Sequence, residues 1–312
     1  MKFIKYTLAF LIWSTVVIFI LPSESYYIDL IQSFTFHALL VYLTVTIVFA
    51  LMRWKYVAAS GVGVCFLLAV HLMPHINNEV SSDYTVYGRP FKVAHFNVLY
   101  NNTSYNETLS HALKTDADII SFQEVSEAWI YELMDGLDHE YPYFAISEHE
   151  IHGVAIFSRY PLENLKTYHW TGEPNLTGDI MYDGNKVHFV ATHTLSPRDP
   201  ERFENRNEHL NKIAEYVQQL EGPVLAIGDF NAVPWNQHIV QIKQSTDLMD
   251  SRKSLTSTFP ANYALGIPID YIFHSDELNC LNFEALEAVG SDHKGVIGEY
   301  AFTSPSLLVD MN

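Results

Sequence analysis

The chain has 312 residues, a formal net charge of −18 and two cysteines. Of 18 Lys and Arg the first 74 residues hold four, and of 36 Asp and Glu they hold two, which leaves 14 basic against 34 acidic side chains beyond residue 74 and a balance near −20. So acidic a surface excludes the basic footprint of a tight nucleic-acid binder, and Cys65 and Cys280 exclude a disulfide framework.

Residues 1–74 carry three apolar segments, Phe3–Leu21, Ser33–Met52 and Val57–Pro74. Each approaches the roughly 20 residues needed to cross a hydrocarbon core, so three transmembrane helices are expected. Buried core helices or a cleaved leader are the alternatives, although Pro22-Ser23-Glu24-Ser25 offers no clear small-residue cleavage site. Lys2 and Lys5 precede the first segment, Arg53 and Lys55 lie between the second and third, and the first loop carries Glu24 and Asp29. The positive-inside rule then puts the N-terminus and the Arg53 turn in the cytoplasm, and an odd number of spans puts the rest of the chain on the periplasmic or extracellular side. His37 and His71 fall toward segment ends, where a membrane-interface position is the simpler reading.

Residues 75–90 read as a linker, 91–303 as one α/β domain and 304–312 as a tail. Within the domain strand-like and helix-like patterns interleave. Phe91–Leu99 alternates as a strand, and Asn106–Thr115 has helical spacing. Asp118–Val125 is a second strand, followed by a helix over Ser126–Leu137; Gly153–Ser158 and Lys186–His193 are further strands. Pro200 opens an amphipathic helix with Ile213, Val217 and Leu220 on one face. Leu225–Asn231 is a buried strand that stops at Gly-Asp-Phe-Asn, then come a helix near Gln237–Gln244 and strands over Ile267–His274 and Leu281–Ala288. Helices between strand pairs argue for an α/β sandwich with the sheets in the middle.

Several of these runs end in residues suited to metal and phosphate chemistry: Asn97, Glu124, His193, Asp229 with Asn231, and Asp270, with Ser291-Asp292-His293 following. Glu124 ends an apolar strand and suits a hard cation such as Mg²⁺, with the Asn97 amide oxygen nearby. Asp229 and Asn231 suit the holding of a water and a phosphoryl oxygen for in-line attack on phosphorus. His293 titrates near neutrality and an Asp such as Asp270 would orient it. Asp292 could complete a metal site, and His193 supplies a second imidazole. Each residue alone has a plain reading as a turn or surface group. Their recurrence at strand ends in one domain does not.

The ordered set Phe96-Asn97, Gln123-Glu124-Val125, Gly153–Arg159, Thr192-His193, Gly228-Asp229-Phe230-Asn231, Ile269–Ile272 and Ser291-Asp292-His293 resembles the endonuclease/exonuclease/phosphatase superfamily over about Phe91–Phe302. The N-terminal spans resemble a membrane-anchored bacterial subgroup of it. The resemblance implies a four-layer α/β sandwich, two central mixed sheets flanked by helices, with the site at one end of the sheets. It also implies Mg²⁺- or Mn²⁺-dependent phosphoester hydrolysis. Carried over by position, Glu124 would be the principal metal ligand with Asn97 and Asp292 in or beside the metal sphere. Asp229 would orient or deprotonate water, Asn231 would contact phosphate, and His293, oriented by Asp270, would be acid, base or phosphate ligand. His193 would stabilise the pentacovalent state.

His152 stands before Gly-Val-Ala-Ile where many members have Tyr or another residue; it could reach the phosphate, but a solvated loop residue is the favoured reading. Arg198 and Arg206 follow the His193 strand and could grip phosphate, Arg206 more simply pairing with a nearby Glu on its helix. No basic helix for a DNA groove and no hydrophobic hairpin for lipid is evident. The expected protein is a membrane-anchored, outward-facing phosphodiesterase of endo/exonuclease type. The alternatives are a phosphatase or sphingomyelinase-like enzyme on a lipid or small phosphoester, and a non-catalytic binding domain. Its expected partners are the phosphoester substrate and the membrane, with no protein partner.

Overall fold

A computed structural model describes residues 2–76 and 86–303; residues 77–85 of the expected linker and the 304–312 tail lie outside the described residues. The chain forms two compact units, one running to Ile76 and including Val233–Gln237, the other holding the remaining described residues.

The first unit is helical: α1 (Lys2–Ile20), α2 (Tyr26–Gln32), α3 (Thr35–Leu51) and α4 (Lys55–Leu72), ending in a 3₁₀ turn over Met73–His75. Val16, Val64 and Leu68 form its packed seam, with Ile12, Leu39 and Tyr42 against them. Gly61 lets α3 approach α4, since a Cβ there would strike the Thr46 side chain. Phe3, Phe10, Val41, Leu51 and Phe66 are exposed on the outside of the unit. Among the described residues two helices are long and apolar enough to cross a membrane, Phe3–Ile20 and Lys55–His75. The expected middle span, Ser33–Met52, forms α3, 17 residues long, which counts as a third span only together with α2, from which it is bent by 61°. Sequence reading missed α2 because its Asp29 and Gln32 interrupt the apolar run.

The second unit holds two six-stranded sheets. Sheet one has the order β11-β12-β1-β2-β4-β3, with β1 Val86–Asn97, β2 Ile119–Gln123, β3 Tyr143–Ser147, β4 Val154–Ser158, β11 Leu278–Ala285 and β12 Val296–Thr303. Sheet two has the order β5-β6-β7-β8-β10-β9, with β5 Leu162–His169, β6 Pro174–Tyr182, β7 Asn185–His193, β8 Val224–Asp229, β9 Met249–Asp250 and β10 Asp270–His274. Only β1/β2 and β7/β8 are parallel, so both sheets are mixed. Strand β1 starts at Val86, so Val86–Pro90, read as linker, are strand paired at Val86 and Tyr87 with β12.

Three apolar layers follow from the period of two along each strand. Phe91 and Val93 of β1, Ile119 of β2, Phe189 and Ala191 of β7, Leu225 and Ile227 of β8 and Ile272 of β10 fill the layer between the sheets. The alternate residues Ala94, Phe96, Ile120 and Phe122 face α5 (Tyr105–Lys114) and α6 (Glu127–Leu137) through Leu109, Trp129 and Leu133. On sheet two, Val190, Ala226, Tyr271 and Phe273 meet Leu210 and Ile213 of α7 (Pro200–Val217) and Ile239 and Ile242 of α8 (Gln237–Thr246). The order helix, sheet, sheet, helix is the α/β sandwich that the sequence pattern anticipates and has the four layers that the resemblance implies.

Candidate active site

The register of the strands brings the polar strand ends to one edge. Asn97 pairs across from Gln123 in sheet one, and His193 from Asp229 in sheet two. Strand β10 runs antiparallel to β8, so its first residue, Asp270, also lies opposite Asp229. Continuing the inner-face alternation past Val93, Ile119, Ala191 and Ile227 reaches His95 and Asn97, Gln123, His193 and Asp229. The site is therefore the polar end of the same seam whose apolar part is the core.

At three points the backbone leaves the strand geometry. Leu99, Glu124 and Asn231 have φ of 61°, 59° and 47°. Such left-handed conformations are uncommon for non-glycine residues and gather at functional turns. The turn at Glu124 ends β2 and directs the carboxylate to the sheet edge, where Oε1 accepts from Asn97 Nδ2 at 3.1 Å and Oε2 from the Tyr100 N–H at 3.3 Å. The turn at Asn231 lets its N–H reach Asp229 Oδ1 at 2.9 Å, while its Nδ2 donates to the Thr194 carbonyl at 2.8 Å.

Asp229 is the hub. Its Oδ2 accepts from Asn97 Nδ2 at 3.3 Å and lies 3.7 Å from His193 Nε2 and 3.6 Å from His293 Nε2. Behind His293, Asp270 accepts from Nδ1 at 2.9 Å and contacts His95 Nε2 at 3.2 Å. Burial, followed by the neighbouring charge of Asp270, pushes the Asp229 carboxyl up. Burial would raise Asp270 as well, but the charge and hydrogen bonds of His293 and His95 hold it well below the usual carboxylate range. His293 is raised to about 10 because Asp270 and Asp229 outweigh its burial. His193 is lowered to about 3 by burial and by the charge on His293. The arrangement is a buried Asp270–His293 ion pair, a neutral His193 and a high-pKa Asp229 between them, which divides acid and base roles as such chemistry needs.

Glu124, His193, Asp229, Asn231, Asp292 and His293 all line one cleft of about 150 Å³ with Tyr100, His152, Ser196, Arg198, Arg202, Phe259 and Ile269. Asn97 and Asp270 lie behind that surface. Asn97 turns its amide nitrogen, not its oxygen, toward Glu124 and Asp229, while Oδ1 takes the Leu99 N–H at 3.1 Å. The donor set fits a hard divalent cation on two counts. Asp292 Oδ1 is buried with no hydrogen-bond partner, and three carboxylates share one small cleft. Asp229, Asp270 and His293 also present atoms within 4.8 Å of one another, but the Asp270–His293 ion pair keeps that imidazole protonated, so the carboxylates are the better cation ligands.

The supporting residues escaped the sequence reading. Gln123 Oε1 accepts the Asp229 N–H at 2.8 Å, and Nε2 donates to the Thr192 carbonyl. Arg252, fully buried, donates from Nη2 to the Asp270 carbonyl at 2.6 Å and lies 4.3 Å over the Tyr271 ring. Arg206 is buried and holds Asn207 Oδ1 and, at 3.0 Å, the Asn231 carbonyl. His152 is not a solvated loop residue. It lines the cleft with its ring 5.1 Å from that of His193, and burial lowers it to about 3. The alternation rule could have found His95 and Gln123, which occupy the same inner face as Asn97.

A sequence model of the endonuclease/exonuclease/phosphatase family matches residues 94–293. Uncharacterized protein YbhP of Escherichia coli K12 is 28% identical over 220 residues, 59% of this chain and 84% of that protein. The structure of D. rerio TDP2 with a single-strand DNA product superposes with a TM-score of 0.59 at 13% identity, covering 68% of this chain and 99% of that one. Sphingomyelinase C from Streptomyces griseocarneus gives 0.54 at 16% identity, with the same 68% and 99%. At these identities the two structures share the fold with this chain.

Proposed function

This chain belongs to the endonuclease/exonuclease/phosphatase family, and from that membership we propose that it is a membrane-anchored, divalent-metal-dependent phosphodiesterase whose catalytic domain faces away from the cytoplasm. The observation that carries the reading is the meeting of Glu124, Asp229, Asp292, His193 and His293 on one cleft. Glu124 and Asp292, with Asp229 beside them, would hold Mg²⁺ or Mn²⁺, which when bound supplies Lewis-acid polarisation of the phosphoryl oxygen. Asp229, fixed by the Asn231 N–H and the Asn97 amide, takes the proton of the attacking water. Its raised pKa suits that role. His293, kept cationic by Asp270, gives its Nε2 proton to the leaving oxygen, which departs protonated, and the proton taken up by Asp229 restores the balance through His293 or solvent. Neutral His193 gives a further hydrogen bond, and Asn231 holds a phosphoryl oxygen.

The reading is tested with the full chain in detergent plus MgCl₂ or MnCl₂, on plasmid DNA, on sphingomyelin or phosphoinositide vesicles and on bis(p-nitrophenyl) phosphate. Hydrolysis of at least one, lost by about 10²- to 10⁴-fold in Asp229→Ala, is the expected result. No turnover of any substrate would overturn it.

A lipid or small phosphoester is the second reading. It is favoured by the acidic balance of the domain, which opposes a polyanionic strand. It is favoured also by the Phe259–Ile267 loop, whose Tyr263 and Leu265 are 67% and 52% exposed next to the cleft residue Phe259.

A further inference from the structure

We propose that Arg198 and Arg202 form a subsite for a second phosphate on the substrate, beside the phosphoester that is cleaved; the proposal rests on the phosphoesterase reading and narrows its substrate class. The cleft is lined by groups of opposite sign: Glu124, Asp229 and Asp292 bring carboxylates to it, while Arg198, from the segment between β7 and α7, and Arg202, in the first turn of α7, bring two guanidiniums. In a domain with 14 basic against 34 acidic side chains, two arginines on one small cleft are a local reversal of sign.

The segment that carries them is stiff. Pro197 and Pro200 fix φ at two of its positions, the Arg198 N–H donates to the Ser196 carbonyl at 2.8 Å, and Asp199 caps α7 by accepting the Arg202 N–H at 2.9 Å. The side-chain pair between Arg202 Nε and Asp199 Oδ2 is long, 3.8 Å, with both groups well exposed. Such a pair contributes little and yields readily to a dianion. Arg206, one helical turn further, is used in the core on the Asn231 carbonyl.

Charge accounting separates this subsite from the reacting group. A phosphoryl group at Asp229 already has Asn231, His193, His293 and a hard cation to balance it. Two further guanidiniums match a second phosphate, which they bind with paired N–H donors. His152 stands in the same cleft, its Nδ1 buried without a partner and its ring against His193, and offers a neutral hydrogen bond to the atoms joining the two phosphates. A choline-type headgroup, which carries a cation at that distance, is disfavoured beside these guanidiniums.

The test uses the full chain in detergent with MnCl₂. Two substrates are compared: bis(p-nitrophenyl) phosphate, and thymidine 3′-phosphate 5′-(p-nitrophenyl phosphate), which adds a second phosphate. The wild type is expected to favour the second in kcat/KM, through KM, and Arg198→Gln/Arg202→Gln to reduce that preference at least tenfold. The exposed Lys212→Gln serves as the control for a lost surface charge. A preference unchanged in the double variant overturns the subsite, and so does an equal loss on both substrates, since the arginines would then hold the reacting phosphate.

Binding without turnover separates this failure from that of the phosphoesterase reading. In EDTA, adenosine 3′,5′-bisphosphate is expected to raise Tm more than adenosine 5′-monophosphate in wild type but not in the double variant. That difference with no hydrolysis of any ester keeps the subsite and removes the phosphoesterase reading; hydrolysis with no such difference in either assay removes the subsite. Competition of the bisphosphate against a ten-residue oligothymidylate assigns the second phosphate to a small molecule or to a strand.

Discussion

Gln123 and Asp229 belong to different sheets, and a 2.8 Å hydrogen bond from the Asp229 N–H to Gln123 Oε1 joins them. The same amide donates to the Thr192 carbonyl, so one side chain ties the ends of β7 and β8 to β2. Gly228 leaves room for it: φ there is 150°, and a Cβ would overlap both the Thr192 carbonyl and the Gln123 amide. Gln123→Leu leaves a buried N–H and a buried carbonyl unpaired, at about 1–3 kcal/mol each. Denaturant unfolding is expected to show a loss of roughly 2–5 kcal/mol, with a fall in kcat larger than any change in KM because Glu124 and Asp229 lose their common register. Wild-type stability in this variant would show that the two sheets are aligned by other contacts.

This contact marks where sequence reading stops. Local strand patterns placed Asn97, His193 and Asp229 at strand ends because each closes a mostly apolar run, whereas Asp270, read as the end of such a run, is the first residue of β10. Nothing local says that Gln123 reaches across a sheet interface, that His95 meets Asp270, or that Arg252 and Arg206 turn inward to hold single carbonyls. Those partners are 18 to 175 residues apart in sequence for Asp270 alone. Edge strands were lost for a related reason: β5 has mostly exposed side chains, and β3, whose apolar residues 143–146 make a run of only four, pairs like β5 on one side only. Strand β6 is buried throughout, but Asn175, Thr177, Gly178 and Asp179 interrupt its apolar pattern.

Removing the carboxylate of Asp292 separates stability from metal binding. Its Oδ1 is buried with no partner, a cost to the metal-free protein that a bound cation would relieve. Asp292→Ala without added metal is expected to unfold at a temperature equal to or above wild type. Millimolar MnCl₂ should raise Tm by several degrees in wild type and by much less in Asp292→Ala and Glu124→Ala. Equal rises in all three proteins would exclude these carboxylates as ligands.

Acid sensitivity should come in part from His209. It is buried on α7, its Nε2 2.7 Å from Asn175 Oδ1, and burial holds its pKa down to about 4 against an ordinary 6.5. Between those values the unfolded chain binds a proton that the folded one refuses, so stability falls as pH drops through this window and levels off below it. The slope from one such group is at most roughly 1 kcal/mol per pH unit. Melting temperatures from pH 7.5 to 4.5 should fall less steeply in His209→Gln than in wild type, and parallel curves would exclude His209 as the source.

Membrane orientation turns on the bent α2–α3 pair, and one experiment decides it. Lys2 and Lys5 at the start of α1, and Arg53 and Lys55 at the start of α4, both favour the cytoplasm. Both clusters lie there only if α2 and α3 together carry the chain back across, which makes three crossings and leaves the domain outside. If the pair, bent by 61°, stays in one leaflet, α1 and α4 alone cross, the Arg53 turn lies outside and the domain returns to the cytoplasm. Protease added to spheroplasts is expected to digest the catalytic domain without rupture of the membrane. Arg53→Gln/Lys55→Gln should protect a fraction of it, because the charge that holds the turn inside is gone. Digestion of wild type only after rupture would establish two crossings, a cytoplasmic phosphoesterase domain and a re-entrant α2–α3.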